Sequence, residues 1–320
     1  MRIVTGTDTL NKNFQGSVVT IGNFDGVHKG HLEIFRHLKD RARRLDLPTV
    51  VVTFEPHPLK VLAPDKAPEL ITTFEQKARL IADSRIDCLV VVPFTTEFSR
   101  TSAEEFVRNT LCDSLGMRHI VIGHDYAFGR GREGNYLTLE KIGVERGFTL
   151  EDMNPIGESG IVFSSSLVRR MVAEGDMESA SKILGRYHTI SGSVVHGREI
   201  GHTLGFPTAN IFTSNELIPQ DGVYAVMVSV EGKLVKGACN IGLNQTFDGG
   251  THTIEVFLLD FSGEIYGREL SVCFVQRLRD VRKFSDASAL KLAIAQDVEQ
   301  TRAILDSVDD ELIKISVGNQ

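Results

Sequence analysis

Ser17–Ile21 reads SVVTI and runs straight into Gly22-Asn23-Phe24-Asp25-Gly26-Val27-His28-Lys29-Gly30-His31. A short apolar run, then a glycine-rich loop, then the amphipathic stretch His31–Leu45, predicts strand, loop and helix. Further strands are expected at Thr49–Phe54, Cys88–Pro93 and His119–Gly123. All are apolar on both faces, as central parallel strands are. Helices are expected between them at His31–Leu45, Phe74–Ser84 and Ala103–Leu115. This order implies a doubly wound parallel sheet, whose ligands bind at the carboxyl ends of its strands. His28 and His31 fall at such an end, where free N–H groups and the positive end of the helix dipole suit phosphate. Imidazoles at i and i+3 can donate to a triphosphate as charge builds on a leaving pyrophosphate. A bare pair at this spacing can equally cap a helix, but the flanking glycines and the strand–loop–helix placement favour the phosphate site.

Other runs bear on the same chemistry. Ser164, Ser165 and Ser166 open a helix or helix pair, Ser165–Leu184, with Arg169 about one turn in. Such a cluster caps a helix or clamps phosphate. Phe54-Glu55-Pro56-His57-Pro58 follows a strand, its prolines fixing the direction of His57. Gly123–Gly134, GHDYAFGRGREG, reads as a mobile flap over a substrate or as a solvated loop.

Past Gly185 the pattern turns to β. Val223–Val230 and Leu234–Cys239 flank the turn Glu231-Gly232-Lys233, and Thr253–Leu259 and Leu270–Gln276 flank a turn-rich stretch. These predict a small antiparallel barrel. A last helix is expected at Ser285–Leu305, capped by Ser285, with Leu290, Ile294, Val298 and Leu305 inward. The domains are therefore expected at 1–185 and 186–320. The chain has 320 residues and a formal charge of −7, which argues against nucleic acid as the main partner. Its four cysteines form no CxxC pair, and no apolar run reaches the length of a membrane span. A cytoplasmic setting is expected.

Taken together, TIGNFDGVHKGH, TFEPHP, GHDYAFGRGREG and SSSLVR, in that order, resemble the adenylyltransferase half of bacterial bifunctional riboflavin kinase/FAD synthetases. The run GHTLGFPTAN, Gly201–Asn210, resembles their riboflavin kinase module, so the likeness covers essentially the whole chain. It implies phosphorylation of riboflavin to FMN, then adenylyl transfer from ATP to FMN giving FAD. It implies that His28 and His31 are catalytic and that Asn23, Ser164, Ser165, Ser166 and Arg169 join them in binding ATP. His57, Asp125 and Phe128 would meet FMN. In the second half it implies Gly201, Gly205, Thr208 and Asn210 for ATP, Thr208 and Asn210 also for Mg²⁺, Glu255 as base, and Arg277 and Arg279 bordering flavin. His202, Gln245, Phe257 and Val281 depart from the usual pattern and bear on the kinase step. Two rivals remain: a class I aminoacyl-tRNA synthetase, and a monofunctional FMN adenylyltransferase carrying a non-catalytic flavin-binding barrel.

Overall fold

The computed structural model describes residues 1–6, 16–124, 126–197, 205–244 and 251–318. Asp125, Gly201, His202 and Gln245 lie outside them. The contacts divide the chain into two compact units, 1–69 with 74–164, and 70–73 with 165–320.

The first unit is a parallel sheet of β1 (Arg2–Thr5), β2 (Ser17–Ile21), β3 (Thr49–Glu55), β4 (Cys88–Pro93), β5 (Met117–Gly123) and β6 (Thr149–Met153). The strand order is β1-β4-β3-β2-β5-β6. β2 feeds β3 on one side through α1 (Lys29–Leu45), whereas β5 lies on the other side. The order therefore reverses between β2 and β5, the position at which ligands bind in doubly wound sheets. Alternate residues feed two cores. Val19, Ile21, Val50, Val52, Ile120 and Ile122 pack on one face, and Val18, Val51, Leu89 and Val121 on the other. The helix expected at Ala103–Leu115 is α-helical over Ala103–Glu105, capped by Ser102, and widens to a π-helix over Phe106–Ser114.

A short antiparallel ribbon, β7 (Gly157–Glu158) and β8 (Ile161–Val162), follows the sheet. The second unit is a closed barrel of β9 (His188–Val195), β10 (Thr208–Thr213), β11 (Gly222–Val230), β12 (Lys233–Asn244), β13 (Thr251–Leu258) and β14 (Glu269–Arg279). Around the barrel the order is β10-β13-β12-β11-β14-β9. A long helix, Ala287–Leu305, packs outside it on β11, β12 and β14. Its cap is Asp286, one residue later than expected, which accepts from the Ala289 N–H at 2.8 Å. Its buried stripe is Ala293, Asp297, Thr301 and Leu305, with Ile294 and Val298 half-buried beside it. Arg279 draws Asp297 inward through two bonds, Nε to Oδ1 at 2.8 Å and Nη2 to Oδ2 at 2.6 Å. Leu290 is half-buried as well, so the expected aliphatic stripe lies alongside this polar contact.

After α2 (Pro58–Leu62), α3 (Phe74–Asp83), α4 (Ala103–Glu105) and α5 (Tyr136–Arg146) of the first unit, Ser165–Ala173 (α6) and Met177–Leu184 (α7) belong with the barrel. Val168, Val172, Met177, Ala180, Ile183 and Leu184 are buried there. Between the helices, Gly175 sits so close to Arg277 that a Cβ would stand 2.7 Å from its Cδ. Burying one large aliphatic side chain is worth about 1.5–3 kcal/mol. A fragment from Ser165 to Gln320 is therefore expected to melt well above one from Arg186. Equal midpoints in a thermal scan would remove α6 and α7 from the barrel's stability.

Candidate active sites

At the end of β2 the backbone turns sharply. Phe24, Gly26 and Val27 all have positive φ, 49°, 78° and 39°. Two non-glycine residues held there represent stored strain, a feature that clusters at ligand clamps. The turn buries Asp25 and His28 and delivers His28 to the N-cap position of α1, where its side chain makes no capping bond. Instead the imidazole stacks on His31, with ring centroids 3.7 Å apart and planes 24° apart. Phe24 meets His31 edge-on at 5.2 Å and packs on Phe35 at 5.1 Å. Gly30 makes the stack possible, because a Cβ there would stand 3.0 Å from the His28 ring.

The neighbouring strand end adds His57. Its Nδ1 accepts from the Leu59 N–H at 3.2 Å, which fixes the ring's orientation. Nε2 lies 3.1 Å from Asn23 Nδ2. Thr53 Oγ1 fixes Asn23 by donating to its carbonyl at 3.2 Å. Asn23 and His57 are thus one unit across two strand ends.

Phe128 is buried among Tyr126, which it stacks on at 5.6 Å, and Phe106. Phe54, Phe94 and Phe98 extend this aromatic patch at the carboxyl edge of the sheet. Burial pushes the Tyr126 hydroxyl well above its ordinary range, with Arg132 opposing. Residues 128–134 are tied down. Phe128 and Gly134 exchange backbone bonds at 3.0 and 2.8 Å, Arg130 N donates to Thr101 O at 3.0 Å, and Glu133 accepts from Ala103 N at 3.1 Å. A Cβ on Gly129 would lie 2.6 Å from the Ala103 backbone. These bonds hold the loop against the 101–103 segment, leaving Arg130 and Arg132 exposed at its tip.

One polar group here escapes sequence reading. Lys77 is buried on α3 (Phe74–Asp83), with Nζ 3.4 Å from Glu55 Oε2 and 5.8 Å from the Phe74 ring centroid. Its position, three residues after Phe74 on the apolar stripe, was the available signal. Of the serine run, Ser164 closes the first unit and Ser165, Ser166 and Arg169 stand on α6 of the second, Ser166 exposed and the others half-buried.

In the barrel, pairing register brings the candidates together. Asn210 on β10 pairs with Glu255 on β13, and Glu255 pairs with Asn240 on β12. Directly paired residues share a face. Ala209, Ile211, Ile254, Val256, Cys239 and Ile241 fill the interior, so the three polar residues form a half-buried row outside it. Thr208 lies on that side too, two residues before Asn210. Gly197 leaves room for Asn210, since a Cβ there would stand 1.9 Å from its Nδ2. Burial pushes the Cys239 thiol up, and the adjacent Glu255 charge adds to this. Gly205 is exposed with φ +88°, a backbone setting that favours glycine.

The two arginines are committed to structural bonds. Arg277 Nη2 donates to Asp221 O at 2.6 Å and lies 2.7 Å from Asp280 Oδ1. Beside it the Tyr224 hydroxyl, bonded to Gln220 O, is pushed up to about 12 by burial, with Arg277 opposing. Arg279 is held by Asp297. Phe257 packs edge-on against Phe206 at 5.3 Å, and Val281 is half exposed.

A family model described as FAD synthetase matches residues 10–167, and one described as riboflavin kinase matches residues 184–305. A bifunctional riboflavin kinase/FMN adenylyltransferase from Pseudomonas fluorescens is 40% identical over 306 residues, 95% of this chain and 98% of that one. Its counterpart from Escherichia coli K12 is 39% identical over 299 residues, 93% and 96% of the two chains. The chain belongs to this bifunctional family. A crystal structure described as a macrolide-efflux protein from Streptococcus pneumoniae matches with a TM-score of 0.86 at 30% identity, covering 94% of this chain and 99% of that one. Among the described residues no helix is long and apolar enough to cross a membrane. Within the family assignment, the FAD synthetase match takes in the β2–α1 loop, the Asn23–His57 pair and the serine run. The riboflavin kinase match takes in the Asn210–Glu255–Asn240 row and the helix bearing Asp297.

Proposed function

We propose that this member of the bifunctional riboflavin kinase/FMN adenylyltransferase family phosphorylates riboflavin within residues 186–320 and adenylylates FMN within residues 1–185, with ATP as donor in both steps. The observation that most supports a working kinase is the pairing of Asn210 with Glu255 on one half-buried row. The Glu255 carboxylate takes the proton of the terminal ribityl hydroxyl, whose oxygen attacks the γ-phosphorus of ATP as the bond to ADP breaks. In the other reaction a phosphate oxygen of FMN attacks the α-phosphorus of ATP, and pyrophosphate leaves. The stacked His28 and His31 and the N–H groups opening α1 receive the charge that develops on it. Ser164, Ser165, Ser166 and Arg169 contribute further phosphate contacts, and Asn23 is held for the nucleotide by His57. His57, Asp125 and Phe128 are assigned to FMN, with Arg277 and Arg279 bordering the kinase's flavin and Gly201 and Gly205 bordering its ATP.

Thr208 and Asn210 present oxygen donors on one side of a strand beside a carboxylate, a donor set that fits Mg²⁺. A cation held there would neutralise phosphate charge during transfer. Excess EDTA is therefore expected to stop both steps, and added Mg²⁺ to restore them; undiminished turnover in EDTA would refute the assignment. Cytoplasmic residence goes with this reading, since ATP is the donor and the four cysteines are free thiols.

The whole reading is tested by incubating the protein with riboflavin, ATP and Mg²⁺ and separating the flavins over time. FMN should rise and then give way to FAD, with ADP and pyrophosphate released in turn. FAD formed from supplied FMN, with no ADP from riboflavin, would leave an adenylyltransferase carrying a binding module.

A further inference from the structure

On β12, Asn240 faces Glu255 from the strand opposite the one that carries Asn210. Cβ atoms of directly paired residues stand about 4.5–5.5 Å apart, within reach of a carboxamide and a carboxylate. Burial confirms the shared side: Cys239 and Ile241 turn into the barrel and are buried, whereas Asn240 between them is half-buried, like Glu255. Thr253, two residues before Glu255, spends its hydroxyl on Gly242 O at 3.1 Å. Phe257, two residues after it, is apolar and pairs with Ala238. Beyond Asn240 the row continues through Val223 to Arg279, whose guanidinium is held by Asp297. The buried Cys239 thiol lies on the opposite side of β12.

We propose that Asn240 is a positioning residue for the kinase step, its carboxamide holding the Glu255 carboxylate so that one oxygen faces the substrate hydroxyl. The inference rests on the reading of Glu255 as the base. A carboxamide suits this place because it donates through N–H and stays neutral, where a second carboxylate would repel the first. Asn210 flanks Glu255 on the other side with its carboxamide set against Gly197. The base therefore stands between two neutral amides on the paired strands.

A double-mutant cycle with Glu255→Gln tests this. Asn240→Leu is expected to lower kcat for FMN formation about 10- to 100-fold, part of the effect of losing a general base. KM for riboflavin and for ATP should stay within about threefold, as expected of a residue that acts through the carboxylate rather than on the substrates. In the Glu255→Gln background the same substitution should change the rate by less than about twofold, because it acts through the missing carboxylate. Riboflavin binding and the thermal unfolding transition of the barrel check that each variant is folded, since FAD formation belongs to the other compact unit, and Asn240→Thr, a good strand former, replaces leucine where that check fails. An equal loss from Asn240→Leu in both backgrounds, or no loss in either, overturns the proposal. A Glu255→Gln enzyme with parental kinase activity instead overturns the reading of Glu255 itself.

Discussion

Glu255→Gln is expected to bind riboflavin and ATP yet form FMN about 10²–10⁴ times more slowly, the usual loss when a general base is removed. Glutamine matches glutamate in size and keeps one oxygen, so the strand and its pairing with Asn210 and Asn240 should persist. What it lacks is an oxygen able to take a full proton from the attacking hydroxyl. The loss should therefore appear in kcat, with KM values nearly unchanged. FAD formation from supplied FMN should proceed at the parental rate, because His28 and His31 lie in the other compact unit. Riboflavin-dependent ADP release is the measurement. A variant that releases ADP as fast as the parent would mean that another group accepts the proton.

The parts of this fold that are plain in the sequence are those whose burial needs no knowledge of partners. β2, β3, β4 and β5 are apolar on both faces because each lies inside the sheet. β1 and β6 escape notice because they are edges. Only Val4 of β1 is buried, and β6 carries Glu151, which is held by His37 at 2.6 Å and Arg41 at 2.9 Å. A helix at Tyr136–Arg146 is equally obscured, since Leu137 and Val144 stand exposed and blur its periodicity. The sites divide in the same way. The histidine pair is legible because loop, glycines and helix start are contiguous in sequence. The side on which Glu255 projects is not, because alternation permits either face until the register with β10 and β12 is known. Lys77 and Asp297 are hidden for a related reason: a charged residue reads as solvated unless its partner, Glu55 or Arg279, is known to be opposite.

Removal of the first imidazole should be just as selective. His28→Asn is expected to reduce FAD formation from FMN about 10²–10³-fold, the typical effect of deleting one donor to developing transition-state charge. Asparagine is the instructive replacement because His28 occupies the N-cap of α1 without capping it through its side chain. Asparagine is among the preferred caps, so the helix should gain a bond from the change. If His28 served the helix alone, the variant would be at least as stable and fully active. If it serves the leaving pyrophosphate, stability and activity part company: the thermal midpoint holds or rises while FAD formation collapses. The stack explains why His31 should not compensate. The rings stack 3.7 Å apart, so the two imidazoles are expected to act as a pair rather than as substitutes for one another. Kinase activity, measured as ADP released with riboflavin, should survive intact. Parental FAD formation by His28→Asn would return the pair to a structural role and leave the N–H groups opening α1 as the phosphate's main support.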